Sequence, residues 1–370
     1  MKLLMVIDNL GPGGAQTQLV NLGIGLKKIG HDINYFIYHP YFNFYREKLK
    51  DYDIHIYEYY KKMKFDIGVL INLNKIIKKG NYDAVISFLD GPNIYCEFLL
   101  AFKKKPILIA SERISFEESE RGLFNRIRME FHRVASAVVT NSYYCADQIL
   151  TYAPFLNKKL SIIYNGIDTD IYHPNNNLIK TSRLLGVGSI IKRKNLRRLA
   201  EALVVYKNDY GEPPIIEWAG TLYQNPESQE EYFKVKHIIE RYGLEKYWVW
   251  LGECNNLQQY YPKYRGIILP SLREGLSNVI CEAMACGVPV LASRVGENIK
   301  ILNESGGGIL FDPDSSKDIA RAIHKLFQMN ESEIQEMGTK ARDYAVNNFS
   351  IEQYIYKFER LIFSLKKKYL

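Results

Sequence analysis

The chain has 370 residues, of which 47% are hydrophobic and 24% charged, and its formal net charge is +8. The length predicts two domains rather than one, and the composition is ordinary for a soluble globular protein. No apolar run reaches the length of about 18 residues that would span a membrane, and the first residues turn acidic too early for a signal peptide.

The cysteines and histidines give no sign of a metal site. The five cysteines have no metal-type spacing, and the seven histidines form no HExxH motif, so a zinc hydrolase is not indicated. Without an export signal, the cysteines are expected to be reduced thiols in a cytoplasmic protein.

Short apolar runs alternate with helical stretches along the first half of the chain. The runs are "KLLMVIDNL", "INYFIYH", "YDAVISFLD", "KPILIASE", "ASAVVTNS" and "LSIIYNGI". Strands that alternate with helices predict a parallel sheet covered on both faces.

The same pattern restarts after "YNGIDTDIYHPNNN", with "RLLGVGSI", "IIEWAG", "WVWLGE", "GIILPS", "VPVLAS" and "GGILF" as strands. The sequence therefore predicts an α/β protein of two doubly wound, Rossmann-like domains, residues 1–165 and 166–350. The last segment, 351–370, has apolar residues at helical spacing. Since ligands of such sheets bind beyond the carboxyl ends of the strands, two facing domains would form a cleft.

Two loops that follow predicted strands could bind anions. "GPGGAQ" at 11–16 leads into a helix, but it has neither the dinucleotide glycine spacing nor a Walker lysine, and a tight turn explains it equally well. "GVGSIIKRKN" at 186–195 places Arg193 and Lys194 beside Gly188 and Ser189, which suits a diphosphate. A basic helix start on the surface is the alternative.

The stretch "SLREGLSNVICEAMACGVPVLAS", residues 271–293, holds Glu274 and Glu282 around a predicted helix start capped by Ser277 and ended by Gly287. Carboxylates repel phosphates, so these two are expected to accept hydrogen bonds from sugar or ribose hydroxyls. A capping acid plus a solvated helix glutamate would explain either residue alone, but less readily both together.

This stretch resembles the E-x7-E signature of retaining GT-B glycosyltransferases of family four, and the resemblance covers nearly the whole chain. The glycine loop, "NGID", "KRKN", "LGE" and "PSLREGLSNVICEAMACGVPV" occur in the family's order. The resemblance implies transfer of a sugar from a nucleotide-sugar, expected to be UDP-linked, with retention of configuration. It also implies that the final helix crosses back to the N-terminal domain.

The resemblance also implies roles for individual residues. Glu274 would contact the donor sugar, Glu282 the ribose diol, and Arg193 and Lys194 the leaving diphosphate. The remaining donor-binding candidates are Gly13, Gly14, Gly188, Ser189, Leu251, Gly252, Glu253, Gly275, Leu276, Ser277, Asn278 and Val279.

Two departures from the family pattern affect these expectations. Gly188-Ser189 stands where relatives often have Gly-Arg, and Arg193 is expected to substitute for that arginine. Many relatives have a histidine near the strand that here ends in Glu112 and Arg113, so a histidine-assisted step is not expected. These two residues, with Asp90 and Asn93, are the candidates for acceptor contact.

No cofactor and no metal are expected. The acidic pair Asp168 and Asp170 lies in the "NGID" loop, where it is expected to organise the loop rather than to bind a cation. Two other functions remain open: a GT-B sugar-nucleotide epimerase, and a nucleic-acid-binding protein, which the dispersed tyrosines do not favour.

The expected acceptor is a lipid-linked glycan of bacterial surface polysaccharide synthesis, reached by peripheral binding to the inner face of the cell membrane. Residues 1–165 hold 22 Lys and Arg against 16 Asp and Glu, a balance of +6, and the remaining residues hold +2. The basic segments are "YYKKMKF" at 59–65, "FLLAFKKKP" at 98–106, the tail "KKKYL", and arginines 121, 126, 128 and 133. A solvated lysine-rich surface explains the charge equally well.

Overall fold

The structure is a computed structural model, and it describes residues 1–101, 103, 105–113, 123–175, 178, 181–254 and 256–369, with backbone only at 123–126 and 369. The chain divides into two compact units. Met1–Gly166 and Ile351–Leu370 form the first, and Ile167–Ser350 forms the second.

The first unit contains a parallel sheet of seven strands. The strands are β1 (Lys2–Val6), β2 (Asp32–Ile37), β3 (His55–Glu58), β4 (Ala84–Phe88), β5 (Ile107–Glu112), β6 (Ala137–Thr140) and β7 (Leu160–Ile162). Their order is β3-β2-β1-β4-β5-β6-β7. The sequence analysis missed β3, because its polar ends and half-buried middle leave no continuous apolar run.

Helices connect these strands, and apolar side chains cover the sheet on both faces. The helices are α1 (Gly14–Lys28), α2 (Arg46–Lys50), α3 (Ile67–Gly80), α4 (Asp90–Leu100), α5 (Leu123–Phe131) and α6 (Tyr143–Tyr152). Successive residues of a strand point to opposite faces. Accordingly, Leu3 and Met5 of β1 pack in the core that includes α1, whereas Leu4 and Val6 pack in the core that includes α3, α4 and α6.

The second unit repeats this architecture with six parallel strands. They are β8 (Thr181–Val187), β9 (Ile215–Ala219), β10 (Trp248–Gly252), β11 (Tyr264–Leu269), β12 (Val290–Ser293) and β13 (Gly308–Phe311), in the order β10-β9-β8-β11-β12-β13. The helices are α7 (Leu196–Tyr210), α8 (Pro226–Arg241), α9 (Asn278–Ala285), α10 (Asn298–Ser305), α11 (Ser316–Gln328) and α12 (Glu331–Phe349).

The last helix, α13 (Ile351–Tyr369), packs in the first unit against α1. Phe358 and Ile362 are fully buried in the core that also contains β1. Gly25 of α1 permits the close approach, because a Cβ there would lie 2.0 Å from Cδ1 of Ile355. Lys366 Nζ also donates to Asp83 Oδ1 at 2.8 Å.

The predicted fold class of two doubly wound parallel α/β domains is confirmed. In both sheets the chain starts in the middle, winds to one edge and then returns to wind to the other. The ligand position in such a sheet lies at the reversal, beyond the carboxyl ends of the two central strands. This position falls between β1 and β4 in the first unit and between β8 and β11 in the second. Within the described residues, no helix is long and apolar enough to cross a membrane.

Candidate functional site

The loops that follow β8 and β11 meet at the reversal of the second sheet. After β8 the chain passes Gly188 and Ser189, forms a 3₁₀ turn over Lys192–Lys194, and enters α7. The two loops are joined because Leu272 N donates to Arg193 O at 2.9 Å.

Glycine is required at the start of the β8 loop. Gly188 has φ +151°, and a Cβ there would lie 2.9 Å from Cε of Lys194. A Cβ on Gly220, which follows β9, would lie 1.8 Å from Gly188 O. Because both residues are glycines, the backbone at Gly220 can pack directly against the backbone at Gly188, and the aliphatic part of the Lys194 side chain fits beside Gly188.

Lys194 and Arg193 both reach the carboxylate of Glu274. Lys194 Nζ donates to Glu274 Oε1 at 2.6 Å, and Arg193 Nη1 lies 3.1 Å from the same oxygen. Lys194 and Glu274 are buried, each 8% exposed, while the Arg193 side chain keeps 42% of its surface. Two cations against one carboxylate leave a positive surplus, carried mainly by the accessible guanidinium.

The ionisation of Glu274 follows from these contacts. Burial raises the pKa of the carboxyl, but the charges of Lys194 and Arg193 outweigh burial, and the pKa is lowered overall. Glu274 is therefore a carboxylate at neutral pH and can accept hydrogen bonds from hydroxyl groups.

Backbone packing fixes the loop that carries Glu274. Gly296 has φ +54°, and a Cβ there would lie 1.8 Å from Glu274 O. Glu297 N donates to Gly275 O at 3.2 Å. Asn195 supports the other side, since its Nδ2 donates to Pro270 O at 3.0 Å. The sequence analysis missed Gly296 and Asn195, whose backbone and side-chain packing no motif in the sequence marks.

The predicted helix start after Glu274 is present as α9. Ser277 is its N-cap residue in an extended conformation, but the serine side chain makes no cap hydrogen bond. At the other end, Gly287 has φ +66° and donates its N–H to Met284 O, while Val288 N donates to Ala283 O. These two bonds form a Schellman motif. The N-terminus of α9 carries the positive end of the helix dipole and lies in the loop after β11, a position that suits an anion or a polar ligand.

Four other predicted donor residues occupy the same segment. Gly275 and Leu276 connect Glu274 to the cap, with Leu276 8% exposed. Asn278 and Val279 form the first turn of α9, and both are partly exposed.

Glu282 lies on α9, one turn after Asn278, and is partly exposed. Tyr261, which is fully buried, donates its hydroxyl to Glu282 Oε2 at 2.8 Å. Removal from bulk water raises the pKa of Glu282 to about 7, and the tyrosine hydrogen bond opposes this rise. The sequence analysis missed Tyr261, which precedes β11 and comes to Glu282 only through the fold.

Leu251, Gly252 and Glu253 lie at the carboxyl end of β10, two strands away from β8. Leu251 is partly exposed, and Gly252 and Glu253 are exposed. Gly252 has φ +70° and accepts a hydrogen bond from Gly220 N at 2.7 Å. This edge is accessible to a flat group, as a nucleobase contact requires.

The glycine loop of the first unit lies at the reversal of the first sheet. Gly13 is the N-cap residue of α1, and Gly14 is the first residue of the helix. Asn9 Oδ1 accepts a hydrogen bond from Gly11 N at 2.8 Å, and Gln16 Nε2 donates to Asp8 Oδ1 at 3.1 Å. The loop is thus an ordered turn, and its role towards a donor stays a prediction.

The acceptor candidates Glu112 and Asn93 lie inside a buried network. Asn93 Nδ2 donates to Glu112 Oε1 at 2.9 Å, and His132 Nε2 lies 3.2 Å from the same oxygen. Glu112 and Asn93 are each 1% exposed. The other ring nitrogen of His132, Nδ1, contacts the Glu97 carboxylate, and the Arg128 guanidinium contacts the Asp90 carboxylate.

Opposite charges in this network stabilise one another. Burial would lower the pKa of His132, but hydrogen bonds to Glu112 and Glu97 raise it to about 10. Burial would raise the pKa of Glu112, but His132 and Arg128 lower it. His132 and Arg128 are therefore the cations that compensate the buried carboxylates, and the sequence analysis did not anticipate this pairing.

Asp90 and Arg113 have different surroundings. Asp90 keeps 38% of its side chain exposed at the start of α4. Arg113 donates through Nε to Ser111 Oγ at 2.8 Å and through Nη2 to the Tyr354 hydroxyl at 3.4 Å. Its Nη1 also donates to Asn165 Oδ1, so Arg113 is held by β5, Asn165 and α13, while Asp90 has the accessible carboxylate among the four candidates.

The acidic pair in the "NGID" loop organises that loop. Asp168 Oδ1 accepts hydrogen bonds from Asp170 N and Ile171 N, both at 3.1 Å. In the part of the chain that the structure describes, no group of three or more His, Cys, Asp and Glu side chains is arranged to hold a metal ion.

The predicted basic segments differ in exposure. Lys62 and Lys64 are exposed, but Arg128 is only 6% exposed and cannot face a membrane. In 98–106, Phe98 is 63% exposed and Leu100 2%. The Arg133 guanidinium is exposed and pairs with Glu130. Outside the described residues lie Phe102, Lys104, Arg121, the side chains of Arg126 and Tyr369, and Leu370.

Two family models match the chain, one in each half. The model described as Glycosyltransferase Family 4 matches residues 12–171, and the model described as Glycosyl transferases group 1 matches residues 169–344.

Similar proteins extend over the whole chain. N-acetyl-alpha-D-glucosaminyl L-malate synthase of Bacillus anthracis is 20% identical over 95% of this chain and 94% of its own length. A Campylobacter jejuni alpha-1,4-N-acetyl-D-galactosaminyltransferase, named for a substrate on PP-undecaprenol, is 23% identical over 95% of this chain and 97% of its own length. The solved structure of Anabaena HepE in complex with UDP has a TM-score of 0.83 at 18% identity and covers 98% of this chain and 100% of that one. This likeness confirms the GT-B fold.

Proposed function

We propose that the protein transfers a sugar from a UDP-sugar to a lipid-linked glycan, with retention of configuration, because models of two glycosyltransferase families match residues 12–171 and 169–344. The transferred group would be a hexose or an N-acetylhexosamine. The reaction would belong to bacterial surface polysaccharide or glycan synthesis at the inner face of the cell membrane.

One observation carries the proposal: Lys194 and Arg193 converge on the buried Glu274 at the reversal of the second sheet. Breaking the bond between the sugar C1 and the phosphate oxygen leaves negative charge on the diphosphate. Cations already fixed next to that oxygen stabilise the transition state without reorganisation. Lys194 has three N–H donors and gives one to Glu274, so two others can serve the phosphate.

Glu274 and Glu282 would hold the two ends of the donor. A carboxylate accepts hydrogen bonds from hydroxyl groups, and Glu274 is kept charged next to the cations. Glu282, one turn into α9, would accept from the ribose diol, with Tyr261 fixing the carboxylate. The backbone from Gly275 to Val279, at the positive end of α9, would contact the sugar or the diphosphate.

The donor and acceptor classes come from similar proteins. The HepE structure is described in complexes with UDP and with UDP-glucose. The Campylobacter jejuni relative is named for a PP-undecaprenol substrate, whereas the Bacillus anthracis relative is named for L-malate. The UDP-linked donor is proposed from the HepE complexes. The lipid-linked acceptor is proposed from the name of the Campylobacter jejuni relative and from the basic first half of the chain.

The direct test is a screen of nucleotide-sugars for thermal stabilisation, because a ligand that binds only the native state raises the apparent stability. We expect UDP-sugars to raise the melting temperature of the wild type and to leave the melting temperature of Glu274→Gln unchanged. Stabilisation by other nucleotide-sugars alone would contradict the UDP assignment.

The competing function is sugar-nucleotide epimerisation. Incubating the protein with the stabilising UDP-sugar in the absence of acceptor separates the two functions. Recovery of the unchanged sugar, together with transfer once an undecaprenyl-diphosphate glycan is added, supports the proposal. An epimerised nucleotide-sugar would contradict it.

A further inference from the structure

The first unit exposes large apolar side chains after β2 and β3. Soluble proteins rarely expose contiguous apolar patches of this kind unless the patch binds something. Six side chains, which we call the apolar face, have 61% to 72% of their surface exposed: Phe42, Phe44, Met63, Phe65, Ile67 and Ile71.

Hydrogen bonds and ring contacts hold these segments together. The carboxylate of Asp66 accepts from Lys62 N and from Gly68 N, both at 2.8 Å, which closes a loop with Met63, Lys64 and Phe65 at its tip. The ring of Tyr41 contacts that of Tyr60 at a centroid distance of 5.3 Å and so joins the segment after β2 to the loop after β3. The apolar face is therefore an ordered surface.

The helix that follows extends the same surface. Ile67 and Ile71 are one turn apart on α3, and both point away from the core that holds Val69 and Leu73. Lys75, one further turn along this face, is exposed as well.

The charges around the apolar face are positive. Residues 59–65 contain three lysines and no acid, and residues 40–45 contain no charged residue. Lys61 turns inward, with its ammonium 5.1 Å from the centre of the Tyr38 ring, but Lys62 and Lys64 are exposed. Asp66 is 8% exposed and holds its carboxylate against backbone N–H groups, so it does not offset these lysines at the surface.

We propose that the apolar face, with Lys62 and Lys64, docks on the surface of an anionic lipid bilayer. Aromatic and aliphatic side chains enter the boundary between headgroups and acyl chains, and neighbouring lysines are attracted to anionic headgroups. A second copy of the chain fits less well. In a two-fold symmetric contact, the lysines within the face would approach their own counterparts.

The apolar face adjoins the glycine loop of the first unit. Leu10 N donates to Phe42 O at 2.9 Å, and Tyr45 N donates to Leu10 O at 3.0 Å. The Tyr45 hydroxyl lies 2.7 Å from Thr17 Oγ1 on α1. Docking would therefore bring the reversal of the first sheet close to the bilayer. The inference rests on the proposed function only in that a lipid-linked acceptor would be reached from this side.

The test is co-sedimentation with vesicles of phosphatidylglycerol and phosphatidylcholine in equal parts, at low and high salt. We expect wild-type binding to weaken with salt and to be lost on pure phosphatidylcholine. Lys62→Glu with Lys64→Glu should weaken binding by roughly 25-fold or more, since each basic residue near an anionic surface contributes about fivefold. Met63→Ser with Phe65→Ser should weaken it about tenfold or more.

Matched controls separate docking from general charge and hydrophobicity. Lys158→Glu with Lys317→Glu makes the same charge change at exposed positions elsewhere, and Phe233→Ser removes a ring that is 60% exposed on α8. We expect these controls to bind vesicles within about twofold of the wild type, since they lie outside the docking surface. Only variants whose melting temperature matches that of the wild type are compared.

Three results would overturn the inference: equal wild-type sedimentation with anionic and neutral vesicles at low salt, wild-type binding by both docking variants, or dissociation of a dimer by Phe65→Ser with unchanged vesicle binding. The assay contains neither donor nor acceptor. A protein that binds vesicles but transfers no sugar therefore retains the inference and loses the proposed function, and the converse result does the opposite.

Discussion

Each unit holds a cluster of ionic groups, at the reversal of the sheet in the second unit and near the end of β5 in the first, and the two clusters are organised differently. In the second unit, Lys194 and Arg193 approach a single carboxylate, and the guanidinium keeps 42% of its side-chain surface. In the first unit, Arg128 and His132 are buried with the carboxylates of Glu112 and Glu97, and each of these four residues is at most 6% exposed.

This difference separates an ion cluster that can take a ligand from one that serves the fold. A buried charge must be compensated by its neighbours, and removing one partner leaves the other uncompensated. A cluster with surplus positive charge and an exposed cation can bind an anion instead. Variants of the first cluster should therefore lose stability, and variants of the second should lose activity.

The largest expected effect is the loss of stability in Arg128→Met. This change removes the guanidinium partner of Asp90 and leaves the buried carboxylate of Glu112 with one cation fewer, which typically costs about 3–5 kcal/mol. Urea unfolding followed by circular dichroism and tyrosine fluorescence measures the change in the free energy of unfolding.

Arg133→Met is the matched control for Arg128→Met. The Arg133 side chain is 57% exposed and pairs with an exposed Glu130, so the expected change is within about 1 kcal/mol. If Arg128→Met kept wild-type stability and instead lost acceptor use, the first cluster would be a binding site rather than a structural one.

The second effect is on catalysis. Lys194→Ala removes a preorganised cation that, on the proposed function, would lie next to the leaving diphosphate, and we expect kcat/KM to fall about 10²–10³-fold. The effect should be larger on kcat than on the affinity for UDP, because the negative charge is greatest as the bond breaks.

Lys192→Ala is the control for this change, since Lys192 lies in the same turn but is exposed. Its turnover should stay near that of the wild type. Equal losses in both lysine variants would mean that general positive charge, rather than the contact with Glu274, supports the reaction.

The sequence predicted the fold through short apolar runs that alternate with helices, and it pointed to the reversal loops through glycines followed by basic or acidic residues. Gly188, Arg193, Lys194 and Glu274 all lie in such loops. The sequence could not supply the partners that distant segments bring in. Arg113, for example, bonds to the Tyr354 hydroxyl, 241 residues away.

Burial also could not be deduced from residue type. Glu112 ends a strand, as a ligand-binding residue would, but Arg128 of α5 and His132 just after that helix lie against it and remove it from the surface. The aromatic residues in "YFNFY" look like core residues by composition, yet Phe42 and Phe44 are more than half exposed. For Glu112, helix packing rather than local pattern decides the outcome.

A smaller effect is expected from pH. The pKa of Glu282 is raised to about 7, so the carboxylate that would accept from ribose is lost as the pH falls through 7. We expect KM for the UDP-sugar to rise below pH 7 in the wild type and to change much less in Glu282→Gln, which should start about tenfold weaker.

Tyr261→Phe sharpens this test. The tyrosine hydrogen bond lowers the pKa of Glu282, so its removal should raise that pKa and shift the rise in KM to higher pH. Stability responds to pH in the opposite direction to donor binding. Because the folded pKa lies above the ordinary carboxyl value, the contribution of Glu282 to stability falls as the pH rises from about 4.5 to 7. An unchanged pH profile in Tyr261→Phe would assign the titration to another group.

The smallest expected effect is that of a chelator. Turnover should be unchanged by EDTA, because Lys194 and Arg193 would supply at the diphosphate the positive charge that a divalent ion supplies in other enzymes. The acidic pair that most resembles a metal-binding motif is Asp168 and Asp170. Asp168 Oδ1 already accepts hydrogen bonds from two backbone N–H groups, both at 3.1 Å. Asp168→Asn keeps an oxygen acceptor for these N–H groups and should keep its activity as well. The contrary result is that EDTA abolishes turnover, that manganese restores it, and that Asp168→Asn prevents this rescue. The positive charge at the diphosphate would then have to come from a bound metal, and the cluster of Lys194, Arg193 and Glu274 would not be the catalytic one.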